Sequence, residues 1–168
     1  YRGIDNWDDV NRTMFDNEGE IVNFNKSYRT TAEIMEAADD VAESIGLNRS
    51  DLVVRHGEDV NLTEVEQEKN IASHIADKIQ EYKEKGYKTI AVISKTDLLS
   101  NSINDELASV GVDIPNVTAN DDLSDEKFRI CTISNQLAKG LEFDAVIINN
   151  ASEENYSSDN DLDMKLLY

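Results

Sequence analysis

The 168-residue sequence has only one cysteine and one proline, and its 16 basic residues are outnumbered by 35 acidic ones. Cys131 is the only cysteine, so an internal disulfide cannot form, which is typical of a reducing compartment. No run of eighteen apolar residues occurs, and no charged-then-apolar leader opens the sequence. We therefore expect a cytoplasmic protein that does not insert into a membrane.

The formal net charge of −19 argues against a broad nucleic-acid-binding surface. Such surfaces are usually basic, because neutralising phosphates releases counterions. Any contact with nucleic acid must then be local, or supplied mainly by a partner domain. A simpler alternative is that the acidic surface only keeps the protein soluble.

The sequence lacks the residue patterns that a phosphate-binding loop, a metal site or a nucleophile–base pair requires. The sequence has no Gly-x-x-x-x-Gly-Lys-Ser/Thr phosphate loop. His56 and His74 stand apart from other metal-ligating residues, and we expect both to be ordinary surface residues. No nucleophile and base can be paired with any support. The sequence therefore predicts no metal site and no phosphate cradle of its own.

Apolar periodicity predicts strands alternating with helices over a single domain, 21–168, after a polar lead-in, 1–20. In the lead-in, a short helix is expected to turn Trp7, Val10, Met14 and Phe15 toward the core. Strands are predicted at 20–25, 51–54, 89–93, 128–134 and 145–149. Helices are predicted from Thr30 or Thr31 to about Ile45, from Thr63 to near Gly86, from Thr96 or Asp97 to about Val110, and from near Leu162. Ser152 to Asp163 is predicted to be a flexible loop.

This order of elements predicts an α/β fold with a doubly wound, mostly parallel sheet and helices on both faces. Almost wholly apolar runs such as 89–93 are typical of strands buried on both faces. Ligands in such sheets lie beyond the carboxyl ends of the strands. Periodicity by itself indicates no reaction.

Two segments carry a family resemblance. Asn25-Lys26-Ser27-Tyr28-Arg29-Thr30-Thr31 resembles motif IV of UvrD/Rep/PcrA-like superfamily 1 helicases. Residues 137–146, Leu-Ala-Lys-Gly-Leu-Glu-Phe-Asp-Ala-Val, resemble motif V of the same family. Residues 90–97 resemble the strand and turn that lie beside the DNA backbone, and 166–168 resemble the start of motif VI. The resemblance implies the second, C-terminal RecA-like motor domain, cut off before motif VI and lacking its own phosphate loop.

The resemblance also implies roles for nucleotide contacts. Arg29 would be the catalytic arginine at the γ-phosphate. Its guanidinium is always charged and has several hydrogen-bond donors, which stabilise the charge on the phosphate oxygens in the transition state. Tyr28, Gly140 and Glu142 would also contact ATP, with Glu142 accepting a ribose hydroxyl. The plainer alternatives are a helix-start ion pair for Arg29, packing under the turn for Tyr28, and a solvated loop acid for Glu142. Leu141, Phe143 and Val146 are expected to be core residues.

Nucleic-acid or inter-domain contacts would fall to Lys95, Thr96, Gln136 and Lys139, although Lys139 could equally be a plain surface lysine. ATP and Mg²⁺ would be held mainly by an upstream RecA-like domain of the same polypeptide. This fragment alone is predicted to be inactive and to bind neither.

The sequence also departs from the family pattern. Gln136 stands where a histidine is usual, Asp97 replaces a commonly neutral residue, and 115–127 is too short for the inserted domain of UvrD and Rep. These features look more like the HelD branch, whose members act on RNA polymerase. Three hypotheses follow: an ATP-dependent DNA helicase or translocase acting on single-stranded DNA, an ATPase domain that binds and recycles RNA polymerase, or a non-catalytic α/β interaction module.

Overall fold

The computed structural model describes residues 7–20, 30–47, 49, 55–65 and 70–168. Its first helices are α1 (Trp7–Met14), α2 (Ala32–Ser44) and α3 (Ile71–Glu84). The strand β1 (Ile90–Ser94) follows, and then α4 (Asp97–Ser109), β2 (Ile130–Ser134) and α5 (Asn135–Ala138). The chain continues through β3 (Ala145–Ile148) to α6 (Asp161–Leu167), which packs against α2.

The described strands form a parallel sheet in the order β2-β1-β3. Ile90 is aligned with Ile130 on one side and with Ala145 on the other, so all three strands begin at the same edge. This confirms the predicted α/β fold with a parallel sheet. The strands predicted at 20–25 and 51–54 lie outside the described residues, except Glu20, which is not in a strand.

Helices α3 and α4 cover one face of the sheet. Ile90 and Val92 of β1 pack there against Ile75 and Ile79 of α3 and Leu107 of α4. These side chains are at most 5% exposed, and each contributes about 1.5–3 kcal/mol relative to an exposed side chain. Because alternate residues of a strand face opposite sides, the run 90–93 must be apolar throughout to be buried on both.

The opposite face carries a second, smaller core. Ala91, Cys131 and Ile133 pack there with Val117 and Phe128. Leu137, Leu141 and Phe143, which lie in and after α5, complete it as half-buried side chains. The prediction that Leu141 and Phe143 belong to the core is therefore confirmed.

Capping residues fix the helix starts, as the sequence predicted. Thr31 accepts a hydrogen bond from the Ile34 amide and begins α2, and Thr96 accepts one from the Leu99 amide and begins α4. After α2, Gly46 adopts a φ of +73°, a conformation that costs glycine nothing and ends the helix. The predicted end of α2 near Ile45 is confirmed.

Two predicted boundaries were wrong. Residues 63–65 are not helical, and α3 begins only at Ile71. Strand β2 begins at Ile130, two residues later than predicted. Phe128 instead belongs to a 3-10 turn, Glu126–Arg129, in which Asp125 accepts a hydrogen bond from the Lys127 amide.

Some predicted core residues are exposed instead. Helix α1 has no buried residue, and Trp7 is 60% exposed. Of the face of α1 that we predicted to enter the core, Trp7, Met14 and Phe15 are exposed and Val10 is half-buried. Val146 is 45% exposed because it lies on the last described strand of the sheet, on the face where β3 has the least cover. None of the described helices is long and apolar enough to cross a membrane.

Candidate functional site at the carboxyl edge of the sheet

Polar side chains follow the carboxyl ends of the strands, where ligands of open α/β sheets bind. Ser94 ends β1 and is aligned with Ser134, which ends β2. Asn149, just after β3, donates its side-chain amide to the Ser94 hydroxyl over 3.1 Å, and its backbone amide to the Ile93 carbonyl over 2.8 Å. These hydrogen bonds join the carboxyl ends of β1 and β3.

Lys95 follows Ser94 and is held by the chain beyond β3. Its Nζ lies 2.6 Å from an Asp163 carboxylate oxygen and donates to the Asn155 carbonyl. The same Nζ lies 5.5 Å from the centre of the Tyr156 ring, within the range of a cation–π contact. We call Lys95, Asn155, Tyr156 and Asp163 the Lys95 clasp. The hydrogen bond from Lys95 is the main cause that lowers the pKa of Asp163 below its ordinary value.

The prediction that Ser152 to Asp163 forms a loop is confirmed up to Asn160, whereas Asp161 to Asp163 belong to α6; flexibility of the loop stays a prediction. Tyr156 is only 3% exposed, and the Glu153 carboxylate accepts a hydrogen bond from the Ser158 amide. Asn160 caps α6 by accepting from the Leu162 amide. Burial of the Tyr156 ring and the ion pair with Lys95 give this polar segment fixed contacts that its composition did not predict.

Lys95, Thr96 and Gln136 all lie at this carboxyl edge, as the order of the elements requires. The Lys95 ammonium is engaged in the clasp, and the Thr96 hydroxyl caps α4. Gln136 is exposed on α5, directly after β2. Asp97 lies in the first turn of α4, where a carboxylate interacts favourably with the helix dipole.

The segment after α5 crosses the smaller core toward the opposite edge of the sheet. Lys139, Gly140 and Glu142 are exposed along it. Gly140 has a φ of +84°, and a Cβ added there would meet no atom within 4 Å, so the turn is open to a ligand or to another domain. The structure therefore does not bring Glu142 together with Lys95; they lie on different parts of the domain surface.

Asp144 anchors the end of this segment at the amino edge. One of its carboxylate oxygens accepts from the Lys88 amide over 2.8 Å and from the Thr89 amide over 2.9 Å. The Asp144 amide in turn donates to the Thr89 hydroxyl over 2.8 Å. These hydrogen bonds, from Thr89 first and then from Lys88, lower the pKa of Asp144.

Tyr28 and Arg29 lie outside the described residues, but the helix that follows them is well defined. The Glu33 carboxylate, in the first turn of α2, lies 2.8 Å from His56 Nδ1 and accepts from the Gly57 amide over 2.8 Å. The hydrogen bond with His56 is the largest of the causes that lower the pKa of Glu33 from 4.5 to about 2. The start of α2 is thus tied to the segment that leads away from 51–54.

Sequence reasoning missed Asp163, Tyr156 and Glu33. For Asp163 a signal existed: Asn160-Asp161-Leu162-Asp163 has a capping residue and first-turn acids typical of a helix start. For Glu33 nothing in the sequence connects α2 with His56, because that pairing depends on how two distant segments meet. His56 and His74 are exposed, as predicted. Among the described residues, no three His, Cys, Asp or Glu side chains are grouped as a metal site.

Comparison with known proteins identifies the family. A family model described as the UvrD-like helicase C-terminal domain matches residues 22–122, which is more than half of the chain. The chain belongs to the UvrD-like helicase C-terminal domain family. The matched range includes the 25–31 segment and Lys95, whereas the 137–146 segment lies beyond it.

A solved structure agrees with this assignment to the UvrD-like family. It is described as the C-terminal domain of a possible DNA helicase from Lactobacillus plantarum WCFS1. The two share 26% sequence identity and superpose with a TM-score of 0.64, over 84% of this chain and 78% of that one. No curated protein matches the chain. The predicted family and α/β fold are therefore confirmed.

Proposed function

We propose that this chain is the C-terminal motor domain of an ATP-dependent superfamily 1 DNA helicase or translocase, formed by residues 21–168. In this proposal, Arg29 reaches the γ-phosphate of ATP held by a separate phosphate-loop domain of the same polypeptide. The observation that carries the proposal is the family match over 22–122, which contains the Ser-Tyr-Arg-Thr segment directly before the Thr31-capped helix. Single-stranded DNA would be the substrate on which the two domains move.

The described residues fit an accessory contact with ATP better than they fit a nucleotide cradle. Gly140 offers an open, exposed turn, and Glu142, two residues further along the chain, has a carboxylate of the type that accepts a ribose hydroxyl. ATP, when bound, supplies the phosphoryl group whose transfer drives the motor. Since the sequence has no phosphate loop, Mg²⁺ and the α- and β-phosphates would be held by the companion domain. The domain alone is then inactive.

The test is ATP turnover by the two-domain protein carrying Arg29→Ala. An arginine at the γ-phosphate contributes about 10³-fold or more to kcat, so turnover should fall by that factor. Arg49→Ala is the matched control, because Arg49 is exposed and pairs with Asp40 and Glu43 on α2. Turnover by Arg29→Ala close to that of the unsubstituted protein would rule out the proposed role.

A second candidate is a HelD-like ATPase domain whose main partner is RNA polymerase. Two observations favour it: the net charge of −19, and the pairing of Lys95 with Asp163, which removes a cation from the edge where DNA would bind. Capture of purified RNA polymerase by the two-domain protein, compared with salt-dependent binding of single-stranded DNA, distinguishes the candidates. If RNA polymerase is retained and DNA binding is weak, the second candidate is favoured. If no polymerase is retained and the affinity for single-stranded DNA falls steeply with salt, the helicase is favoured. A protein with neither activity and no ATP turnover would be the non-catalytic interaction module.

A further inference from the structure

The segment that follows β3 is attached to the ends of two neighbouring strands. At the end of β1, the Lys95 clasp holds the segment through an ion pair, a hydrogen bond and a contact with an aromatic ring. At the end of β2, the Asn135 side-chain amide donates to the Leu166 carbonyl of α6. Because β1 and β2 are paired in the sheet, residues 155–166 bridge their carboxyl ends.

Tyr156 takes part in both attachments. Its ring centre lies 5.5 Å from Lys95 Nζ, and its hydroxyl is hydrogen-bonded to the Asn135 side chain. Burial raises the pKa of the Tyr156 phenol, and the hydrogen bond from Asn135 opposes that rise. The side chain is close-packed and only 3% exposed, so it cannot move without disturbing its neighbours. Tyr156 therefore connects the residue after β1 with the residue after β2.

Helix α5 depends on outside contacts for its position. It has only four residues, and isolated helices of this length are not stable in water. Over the described part of the chain, the Ser134 side chain makes no capping hydrogen bond at its start. At its end, the Ala138 carbonyl accepts from the Leu141 amide and closes the turn that contains Gly140. A shift of Asn135, the first residue of α5, would therefore move this turn as well.

The ligand predicted for Lys95 would compete with the clasp. A phosphate of single-stranded DNA and the Asp163 carboxylate are both anions, and the lysine ammonium is a flexible point charge that pairs with either. If Lys95 pairs with a phosphate, residues 155–166 lose their ion pair with the end of β1 and keep their attachment to Asn135. The position of α5 then depends on whether DNA is bound.

We infer that Asn135 and Tyr156 are positioning residues that couple DNA bound at Lys95 to ATP bound at the Gly140 turn. Their side chains contact neither ligand and act by joining α5 to residues 155–166. The inference rests on the proposed function and on the predicted contacts of Lys95 with DNA and of Gly140 with ATP. Because coupling between two sites is reciprocal, DNA should change the affinity for ATP by the same factor as ATP changes the affinity for DNA.

The experiment measures the dissociation constant of the two-domain protein for an oligothymidylate strand, with and without a non-hydrolysable ATP analogue. The ratio of the two constants is the coupling factor, which is typically about 5- to 150-fold. In Tyr156→Phe and in Asn135→Ala, the coupling factor should fall to within about twofold of one. The affinity for DNA without nucleotide should change little, because both variants keep the Lys95 ion pair.

Tyr87→Phe is the matched control. It also removes one tyrosine hydroxyl, which donates to Glu58 before the start of β1, at the opposite edge of the sheet from the clasp. Its coupling factor should equal that of the unsubstituted protein. Tyr156→Phe keeps the buried ring, so its unfolding temperature should stay close to that of Tyr87→Phe while its coupling factor falls.

The outcomes separate this inference from the proposed function. An unchanged coupling factor in both Tyr156→Phe and Asn135→Ala would overturn the inference, as would unfolding of both variants at the assay temperature. A coupling factor of one in an unsubstituted protein that binds both ligands would overturn it as well. An unsubstituted protein that binds neither DNA nor the ATP analogue would instead overturn the proposed function.

Discussion

Lys95 and Asp163 form an ion pair, with the ammonium 2.6 Å from the carboxylate, that joins the end of β1 to helix α6. The Lys95 side chain is 21% exposed and that of Asp163 is 11% exposed, so neither is a freely solvated charge. Most exposed ion pairs contribute little to stability, but a shielded one also decides which groups are available to a ligand. Here the ion pair determines whether the Lys95 ammonium can bind a phosphate. Lys95 is the cation that the family resemblance predicts to lie beside DNA.

Asp163→Asn should free Lys95 for a phosphate. We expect the variant to bind single-stranded DNA more tightly at low salt. The slope of log K against log salt should steepen by about 0.7, the value for one added phosphate contact on a single strand. Asp161→Asn makes the same change of charge in the same turn of α6, where Asp161 is exposed, and should leave the slope unaltered. Identical slopes for the two variants would show that Lys95 is not a DNA contact.

The same substitution should loosen the segment that follows β3. Asparagine keeps one acceptor oxygen in place of two, so either Lys95 or the Ser157 amide loses its acceptor. Hydrogen exchange should therefore speed up across 152–167 in Asp163→Asn and stay unchanged in β1 and β2. Unaltered exchange in this segment would mean that burial of Tyr156 alone is enough to hold it.

Asp144→Ala should weaken the attachment between β3 and β1. The variant loses the acceptor for the Lys88 and Thr89 amides, both of which then turn to solvent. Because the site is exposed, we expect a loss of about 1 kcal/mol in the free energy of unfolding, as for a typical hydrogen bond. Urea unfolding measures the difference, with Asp113→Ala as an exposed acidic control. A change no larger than that of the control would contradict the prediction.

Glu33 should contribute to stability in a defined range of pH. Its pKa is lowered from 4.5 to about 2, so the folded state favours the ionised form. The contribution is fully present above about pH 4.5, where the unfolded form is also ionised, and is lost as the pH falls toward 2. The stability difference between the unsubstituted protein and Glu33→Gln should therefore shrink over that interval. For the control Glu36→Gln, the stability difference from the unsubstituted protein should not change over this interval. A stability difference for Glu33→Gln that stays constant from pH 6 to 2 would show that ionisation of Glu33 does not stabilise the fold.

Cys131 should be inert in the folded protein. Its side chain is fully buried in the smaller core, and burial raises the pKa of the thiol to about 11. Since the thiolate is the reactive form, a thiol-specific reagent at pH 8 should label the protein only as fast as it unfolds. Labelling at the rate of an exposed thiol, measured against protein in denaturant, would contradict the burial.

Local patterns in the sequence predicted the elements that depend on local forces. Thr31 and Thr96 begin helices because their hydroxyls satisfy amides three residues ahead, and Gly46 ends one because it adopts a positive φ without strain. The run 90–93 predicted a doubly buried strand for a similar reason, since both faces had to be apolar. The boundaries near Thr63 and Phe128 were wrong because a local signal such as a capping threonine shows where an element can begin without deciding whether it does.

The sequence by itself determined the alternation of strands and helices, the family, and the residue types offered at the strand ends. Only the tertiary structure decided which of those residues are engaged by other side chains and which are exposed to a ligand. Periodicity and motifs report what each residue does with its near neighbours, whereas ion pairs such as Lys95–Asp163 and hydrogen bonds such as Glu33–Gly57 join segments far apart in the chain. Such pairings depend on how the helices pack on the sheet, and no single segment encodes that. The packing pairs Lys95, which we predicted to contact DNA, with Asp163, and it ties Glu33 to Gly57 at the start of α2.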